Sequence, residues 1–332
     1  MLERIRGLRT STEGYLALAI LLLVTILTLA TPYFLTVANF VDLIESYSVT
    51  AILAMGLFVV LVSGGIDISF AATASVAQYT AAYLAARMGF PALACIPAGL
   101  AVGVALGLVN AILIHTVRIT SIIVTIATMS VYFALLMVVT GGKSIYDLPD
   151  WWSQRIVFYR MEMANGDIVR ITLPIIVMIA VVAATWFLMN RTSAGRQIYA
   201  MGGNSEAARR IGISIGLMQM LAYGYMGLMA GAAGLVQAHR VGESVPNAMV
   251  GGELNVLAAA VLGGASLNGG IGSVGGVILG ILLLAIIQNG LNLLGVSPYF
   301  FQIVIGLVIL ASTSMTGLSS RARRRVRREL PA

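Results

Sequence analysis

Ten apolar stretches make up most of the chain, and polar or glycine-rich segments separate them. A stretch of about 20 mainly apolar residues is long enough to cross the hydrocarbon core of a bilayer. We therefore predict about ten transmembrane helices. The stretch 91–117 exceeds the required length. The stretch 254–266 is too short for a full span and indicates a broken helix. The ten stretches are 15–31, 47–63, 70–86, 91–117, 119–140, 171–190, 216–238, 254–266, 272–295 and 299–316.

The first stretch follows three basic residues, an arrangement also found in cleaved signal peptides. Its apolar run is longer than the ~7–15 residues of a signal-peptide core, and no A-x-A-like cleavage site follows it. We expect it to be a retained first span. The predicted fold is an all-α, polytopic integral membrane helix bundle that forms a single domain over residues 1–332.

Glycines recur at four-residue intervals on three of the predicted helices. Gly99, Gly103 and Gly107 share one helix face, and Gly227 pairs with Gly231. A third series comprises Gly272, Gly276 and Gly280. Small residues at this spacing let membrane helices approach closely, so the pattern predicts a tightly packed bundle.

Composition supports a membrane location. Of the 332 residues, 59% are hydrophobic and 10% are charged, and the mean hydropathy is +0.96. Soluble domains carry roughly 25% charged residues. A soluble core of this chain length would leave much of the apolar surface in water, which excludes an ordinary soluble protein.

The basic residues predict how the chain crosses the membrane. With ten spans and the N-terminus inside, 14 of the 20 basic residues lie inside, including six arginines between Arg321 and Arg328. The excess of inside arginines follows the positive-inside rule and places both termini in the cytoplasm. The predicted regions are a cytoplasmic N-terminus (1–14), an outside loop (141–170), a cytoplasmic loop (190–214) and a basic cytoplasmic tail (317–332). We expect the tail to meet anionic lipid rather than nucleic acid.

Motifs for enzyme chemistry are missing from the sequence. The nearest match to a nucleotide-binding P-loop is Gly142-Lys143-Ser144, where Met137 occupies the position of the first glycine. Cys95 is the single cysteine, and we expect it to be a small buried side chain. His115 and His239 are far apart in sequence, and His239 is expected to be solvated at the start of an outside loop. We predict no catalytic residue, no metal site and no cofactor bound by this chain.

The cytoplasmic loop contains a short predicted helix. Gly202 and Gly203 interrupt the preceding structure, and Asn204 or Ser205 can cap a helix whose first turn holds Glu206. Its small apolar face would comprise Ala207, Ala208 and Ile211, and Gly212 would end it. From the residues alone, this segment is equally an ordinary amphipathic connector.

A few polar residues within apolar stretches are candidates for a solute pathway. Asp67 lies at the junction of two apolar stretches, where a charge is costly and often functional. The alternative, which we favour, is a structural role in which Asp67 caps the next helix. Asn289 and Asn292 lie on one helix face and either line a path or bond helix to helix. Asn110 and Gln302 are weaker candidates.

Three segments carry a resemblance to a known family. The run from Gly195 to Ile213, G-R-Q-I-Y-A-M-G-G-N-S-E-A-A-R-R-I-G-I, resembles the cytoplasmic coupling loop of ribose-type ABC permeases, which import monosaccharides delivered by binding proteins. The run Gly64-Gly65-Ile66-Asp67-Ile68-Ser69 resembles that family's G-G-I-D-L-S signature, with Ile68 in place of leucine. A third match runs from Ala260 to Gly272. The three motifs extend the resemblance over nearly the whole chain.

The resemblance implies a set of partners in a bacterial inner membrane. Two ATPase subunits would bind ATP and dock inside, a sugar-binding protein would dock in the periplasm, and a second permease, identical or similar, would complete the assembly. The loop 141–170 would be periplasmic. The residues implied to contact the ATPase are Gly202, Gly203, Asn204, Glu206, Ala207, Ala208, Ile211 and Gly212.

Other functions stay open at the level of the sequence. The solute is a monosaccharide by resemblance, while related systems import branched-chain amino acids or nucleosides. A secondary transporter driven by ions would carry membrane acids and internal repeats, and here Asp67 alone qualifies as a membrane acid. A membrane scaffold without transport activity is a third class. Dependence on a partner ATPase separates the permease from the last two.

Overall fold

The computed structural model of the protein describes residues 12–163, 167–297, 299–307 and 310. Most of these residues are helical, as predicted, and residues 299–307 form part of a last helix. The N-terminal basic residues and the arginine-rich tail lie outside the described residues. The helices named below are α1 (Thr12–Ala30), α2 (Val37–Ser46), α3 (Ser48–Val62), α4 (Phe70–Ala86), α5 (Ala92–Val117), α6 (Ser121–Thr140), α7 (Asp150–Ser153), α8 (Leu173–Arg191), α9 (Ser193–Gly203), α10 (Ser205–Arg210), α11 (Ile215–Val241), α12 (Glu253–Leu262) and α13 (Val274–Leu293).

Several helices are long and apolar enough to cross a membrane. Within the described part of the chain they are α1, α5, α6, α8 and α13, and the bent pair α2–α3, with an angle of 49°, is a further candidate. The predicted stretches 70–86 and 254–266 fold as shorter helices of 17 and 10 residues. Five helices, or six with the bent pair, meet the criteria of length and apolarity among the described residues. The number of about ten spans therefore stays a prediction.

Helix α3 lies at the centre of the bundle. Every residue of α3 except Thr50 is buried, and the helix contacts α8, α11 and α12. A helix that is apolar on all sides is typical of the interior of a bundle. In the break that follows α3, Gly65, Asp67 and Ser69 are buried, whereas Gly64 is exposed.

The predicted glycine contacts are present between α5 and α11. A Cβ atom on Gly103 would overlap Gly227 O, and a Cβ atom on Gly227 would overlap Gly103 O. A Cβ atom on Gly276 would likewise overlap Gly263 O, where α13 packs on the end of α12. These contacts confirm the prediction of close packing, because neither pair of helices could approach as closely with larger residues.

The loop 141–170 contains structure that the all-α prediction did not include. Strands β1 (Val157–Glu162) and β2 (Ile168–Thr172) form an antiparallel hairpin after the short helix α7. The side chain of Trp152 on α7 is buried, and its Nε1 donates a hydrogen bond to Leu235 O at 3.2 Å. This contact fixes the loop to the last part of α11.

Candidate functional site

Three glycine pairs from distant parts of the sequence meet at one end of the bundle. Gly64–Gly65 follow α3, Gly202–Gly203 end α9, and Gly269–Gly270 lie in the loop between α12 and α13. We call these six residues the glycine junction. The amide of Gly270 donates a hydrogen bond to Val62 O at 2.9 Å, which joins two of the three segments directly.

Backbone conformation and close approach both require glycine in the junction. The φ angles of Gly64, Gly269 and Gly270 are +88°, +84° and +72°, a region that other residues rarely adopt. A Cβ atom on Gly202 would overlap Val62 O, and one on Gly269 would lie 2.6 Å from Gly64 Cα. The three segments therefore meet through their backbones, with no intervening side chain at these points.

Helix α10 projects from the junction and has the predicted capping. Asn204 Oδ1 accepts a hydrogen bond from Ala207 N at 2.9 Å, and Gly212, with φ +87°, follows the end of the helix. Glu206 forms an exposed ion pair with Arg210 at 3.3 Å. Because this pair is exposed, it contributes little to stability and leaves both charges accessible.

The apolar face of α10 differs in one residue from the prediction. Ile211 is 76% exposed and Ala207 is exposed, whereas Ala208 is only 2% exposed and belongs to the main core. Ala208 lies on the side of the short helix that packs on the bundle. We use the name coupling surface for four exposed residues among those predicted to contact the ATPase, Asn204, Glu206, Ala207 and Ile211; Arg209 and Arg210 are exposed beside them.

The break between α3 and α4 is stabilised by hydroxyl groups from α6. Ser121 Oγ accepts a hydrogen bond from Ile66 N at 2.9 Å. Thr125 Oγ1 accepts from Ile68 N and donates to Ile66 O, both at 3.3 Å. Non-helical backbone is tolerated within a membrane protein only where such partners satisfy it. Sequence analysis missed both residues, although two hydroxyls at the start of an apolar stretch were the available signal.

Asp67 lies inside this break and is almost completely buried. Its Oδ1 accepts hydrogen bonds from Ser69 N at 2.8 Å and from Ser69 Oγ at 2.7 Å. Asn110 Nδ2 on α5 donates to Ser69 Oγ at 2.7 Å. No basic side chain within the described ranges forms a salt bridge with Asp67. The carboxyl group thus organises the turn that leads into α4 and connects it to α5.

Of the other pathway candidates, Asn110 adjoins Asp67 through Ser69, and the remaining three lie elsewhere. Asn289 on α13 exchanges two hydrogen bonds with Asn39 on α2, at 3.1 and 2.8 Å. It lies 15 residues, or roughly 22 Å along the helix axis, beyond the first residue of α13. Asn292 and Gln302 are exposed. The geometry therefore gives Asn289 a helix-to-helix contact, and it brings only Asn110 of the other candidates next to Asp67.

His239 is not solvated, contrary to the prediction. It lies in the last turn of α11 and is 5% exposed, and its Nδ1 lies 2.6 Å from Trp152 O. The loop after α11 begins only at Gly242, so the helix extends three residues beyond the predicted boundary. The buried position follows from the packing of α7 on this end of α11.

The sequence is similar to a family of membrane permeases. A family model described as branched-chain amino acid transport system / permease component matches residues 39–313. The ribose import permease protein of Escherichia coli (strain K12) is 34% identical over 93% of this chain and 96% of its own length. The D-allose transport system permease protein of the same strain is 32% identical, covering 88% of this chain and 87% of its own. Its galactose/methyl galactoside import permease protein is 30% identical, covering 92% and 94%.

Proposed function

We propose a function from the premise that this chain belongs to the branched-chain amino acid transport system / permease component family. The chain is the membrane-spanning subunit of an ATP-driven importer. It forms a passage that opens and closes for a small polar solute. A separate ATPase binds ATP and supplies the energy, and a solute-binding protein delivers the solute.

The solute is a monosaccharide or a closely similar neutral molecule. The relatives that align over nearly the whole chain are named for ribose, D-allose and galactose. Although the family model carries the name of branched-chain amino acids, these relatives favour a sugar. The charge content of 10% agrees with a path for a neutral solute, because few ionic groups lie among the spans.

The coupling surface is the part of the chain that we assign to the ATPase. It is small, apolar at Ala207 and Ile211, and charged at Glu206, which is the character of a short helix that docks in a groove of a partner. Gly202 and Gly203 are members of the glycine junction and immediately precede the coupling surface; Gly202 packs on Val62 O, and Gly270 packs on Gly203.

The glycine junction gives a route from the ATPase to the membrane interior. A movement of α9 and α10 would displace the breaks after α3 and before α13, because backbone contacts leave little space for slippage. The first break contains Asp67, and the second leads into the helix that carries Asn289 and Asn292. In this proposal the positions of Asp67, Asn289 and Asn292 change when the ATPase moves α9 and α10.

The proposal also fixes the surroundings of the chain. The protein belongs in a bacterial inner membrane, with its termini and coupling surface in the cytoplasm and loop 141–170 in the periplasm. A second permease subunit, identical or similar, completes the passage. The chain itself requires no cofactor.

Co-purification from native membranes tests this function. After extraction in mild detergent, mass spectrometry identifies the proteins that accompany the full-length chain. We expect an ATPase subunit with a nucleotide-binding motif. An active transporter that purifies without any ATPase, and that moves solute in response to an ion gradient, would instead establish a secondary carrier.

A further inference from the structure

A polar cavity lies at the end of the bundle opposite the coupling surface. Helix α11 begins at Ile215 beside α10 and runs for 27 residues, or about 40 Å, before it reaches the cavity at His239 and Arg240. The cavity has a volume of about 490 Å³, within the range of small-molecule sites. In the proposed topology it opens toward the periplasm.

The cavity is lined by paired charges from three separate parts of the chain. Arg155, which precedes β1, forms a 2.6 Å ion pair with Glu45 near the end of α2. Arg240 on α11 donates a 2.6 Å hydrogen bond to Ser46 O. The side chain of Glu45 is only 9% exposed, so the ion pair lies partly inside the protein. These contacts hold α2, α11 and the loop before β1 around one space.

The balance of charge indicates the chemistry of a ligand. Asp42 and Glu45 supply two carboxylates, and Arg155 and Arg240 supply two guanidinium groups, which leaves a formal charge of zero. Such a lining presents hydrogen-bond donors and acceptors without attracting one sign of ion. A neutral molecule with several hydroxyl groups can both donate to the carboxylates and accept from the arginines.

We propose that this cavity is a low-affinity receiving site for a neutral monosaccharide on the periplasmic side of the permease. The proposal rests on the proposed function, which supplies the sugar, but the site itself is a property of the free permease. The sugar binds after its release by the binding protein and before it enters the passage between the helices.

Protection of an introduced cysteine tests the proposal without any transport measurement. The background is the full-length Cys95→Ala protein in lipid nanodiscs, because Cys95 is the only native cysteine. Ser153→Cys places a thiol in the lining, and Asp147→Cys places a control thiol in the same loop, at an exposed position outside the cavity. Each protein reacts with a membrane-impermeant maleimide in the presence of D-ribose, D-allose or D-galactose.

At least one of these sugars should slow the labelling of Ser153→Cys by about threefold when its concentration is twice the Kd, because labelling is limited to the free site. Gluconate, an anion of similar size, should protect less, and Asp147→Cys should react at an unchanged rate. Glu45→Gln, added to Ser153→Cys, should reduce the protection by the sugar, since it disturbs the balance of charge.

Equal labelling of Ser153→Cys with and without every neutral sugar would overturn the receiving site. ATP-driven uptake, measured on the same preparation after reconstitution with its partners, separates this failure from a failure of the proposed function. Uptake without protection would leave the importer intact and remove only the cavity from the path of the sugar.

Discussion

Gly202 and Gly203 are neighbours in the sequence but have very different surroundings. A Cβ atom on Gly202 would overlap Val62 O, whereas nothing lies within 4 Å of a Cβ atom on Gly203. Both lie at the end of α9, and neither has a positive φ. The pair therefore separates the effect of close packing from the effect of glycine flexibility.

Gly202→Ala should destabilise the junction, and Gly203→Ala should be tolerated. Inserting a methyl group into a packed site costs about 1–3 kcal/mol, and here the obstacle is backbone that cannot rotate away. The unfolding temperature of each purified protein measures the difference in stability. It is obtained by heating samples in detergent and quantifying the remaining folded protein by size-exclusion chromatography. Equal unfolding temperatures for the two variants would show that the junction is not tightly packed.

The hydroxyl of Ser121 provides a second test at the residue scale. Ser121→Ala removes the partner of Ile66 N, and an unsatisfied amide in this position costs about 1–3 kcal/mol. We expect a lower unfolding temperature than in Ser130→Ala, whose hydroxyl bonds only to its own helix at Ile126 O and is exposed. A Ser121→Ala protein as stable as the control would mean that the break is satisfied by other means.

At the scale of elements, the long apolar helices were predictable because an uninterrupted run of apolar residues marks both the position and the length of a span. The prediction located α5 and α6 to within two residues at each end. It missed α2 and α9, since their mixture of polar and apolar residues is indistinguishable from a loop without knowledge of their neighbours. The hairpin β1–β2 was missed because strand pairing depends on partners outside the local sequence.

The candidate site was predictable only in part for a similar reason. Motifs indicated each glycine pair and the cap at Asn204, but nothing in the sequence showed that Gly64, Gly202 and Gly269 lie side by side. The orientation of α10 was also inaccessible, because a helix of six residues is too short for its pattern to distinguish Ala208, which packs inward, from Ala207, which does not.

Ile211, the exposed residue that follows α10, is the sharpest test of the coupling surface. Ile211→Asp should reduce ATP-driven uptake by roughly tenfold, equivalent to about 1.4 kcal/mol of docking energy, while Ile211→Val should retain most of it. Because Ile211 is exposed in the free chain, neither change should alter insertion or the unfolding temperature. Undiminished uptake by Ile211→Asp would remove α10 from the interface with the ATPase.

At the scale of the whole molecule, α11 joins the two ends of the bundle to which we assign functions. One end presents the coupling surface and the glycine junction, and the other has the open polar cavity between α2, α11 and the loop before β1. The glycine contacts between α5 and α11 make the connecting core compact. In our proposal the first end meets the ATPase and the second receives the sugar, as expected of an importer that is driven from one side and supplied from the other.

Uptake of radiolabelled sugar by proteoliposomes tests the central claim most directly. The vesicles contain the permease and the subunits that co-purify with it, with binding protein outside and ATP inside. We predict that a neutral monosaccharide accumulates only when ATP can be hydrolysed, and that a proton or sodium gradient has no effect without ATP. Accumulation driven by an ion gradient in vesicles that contain this chain alone would contradict the account.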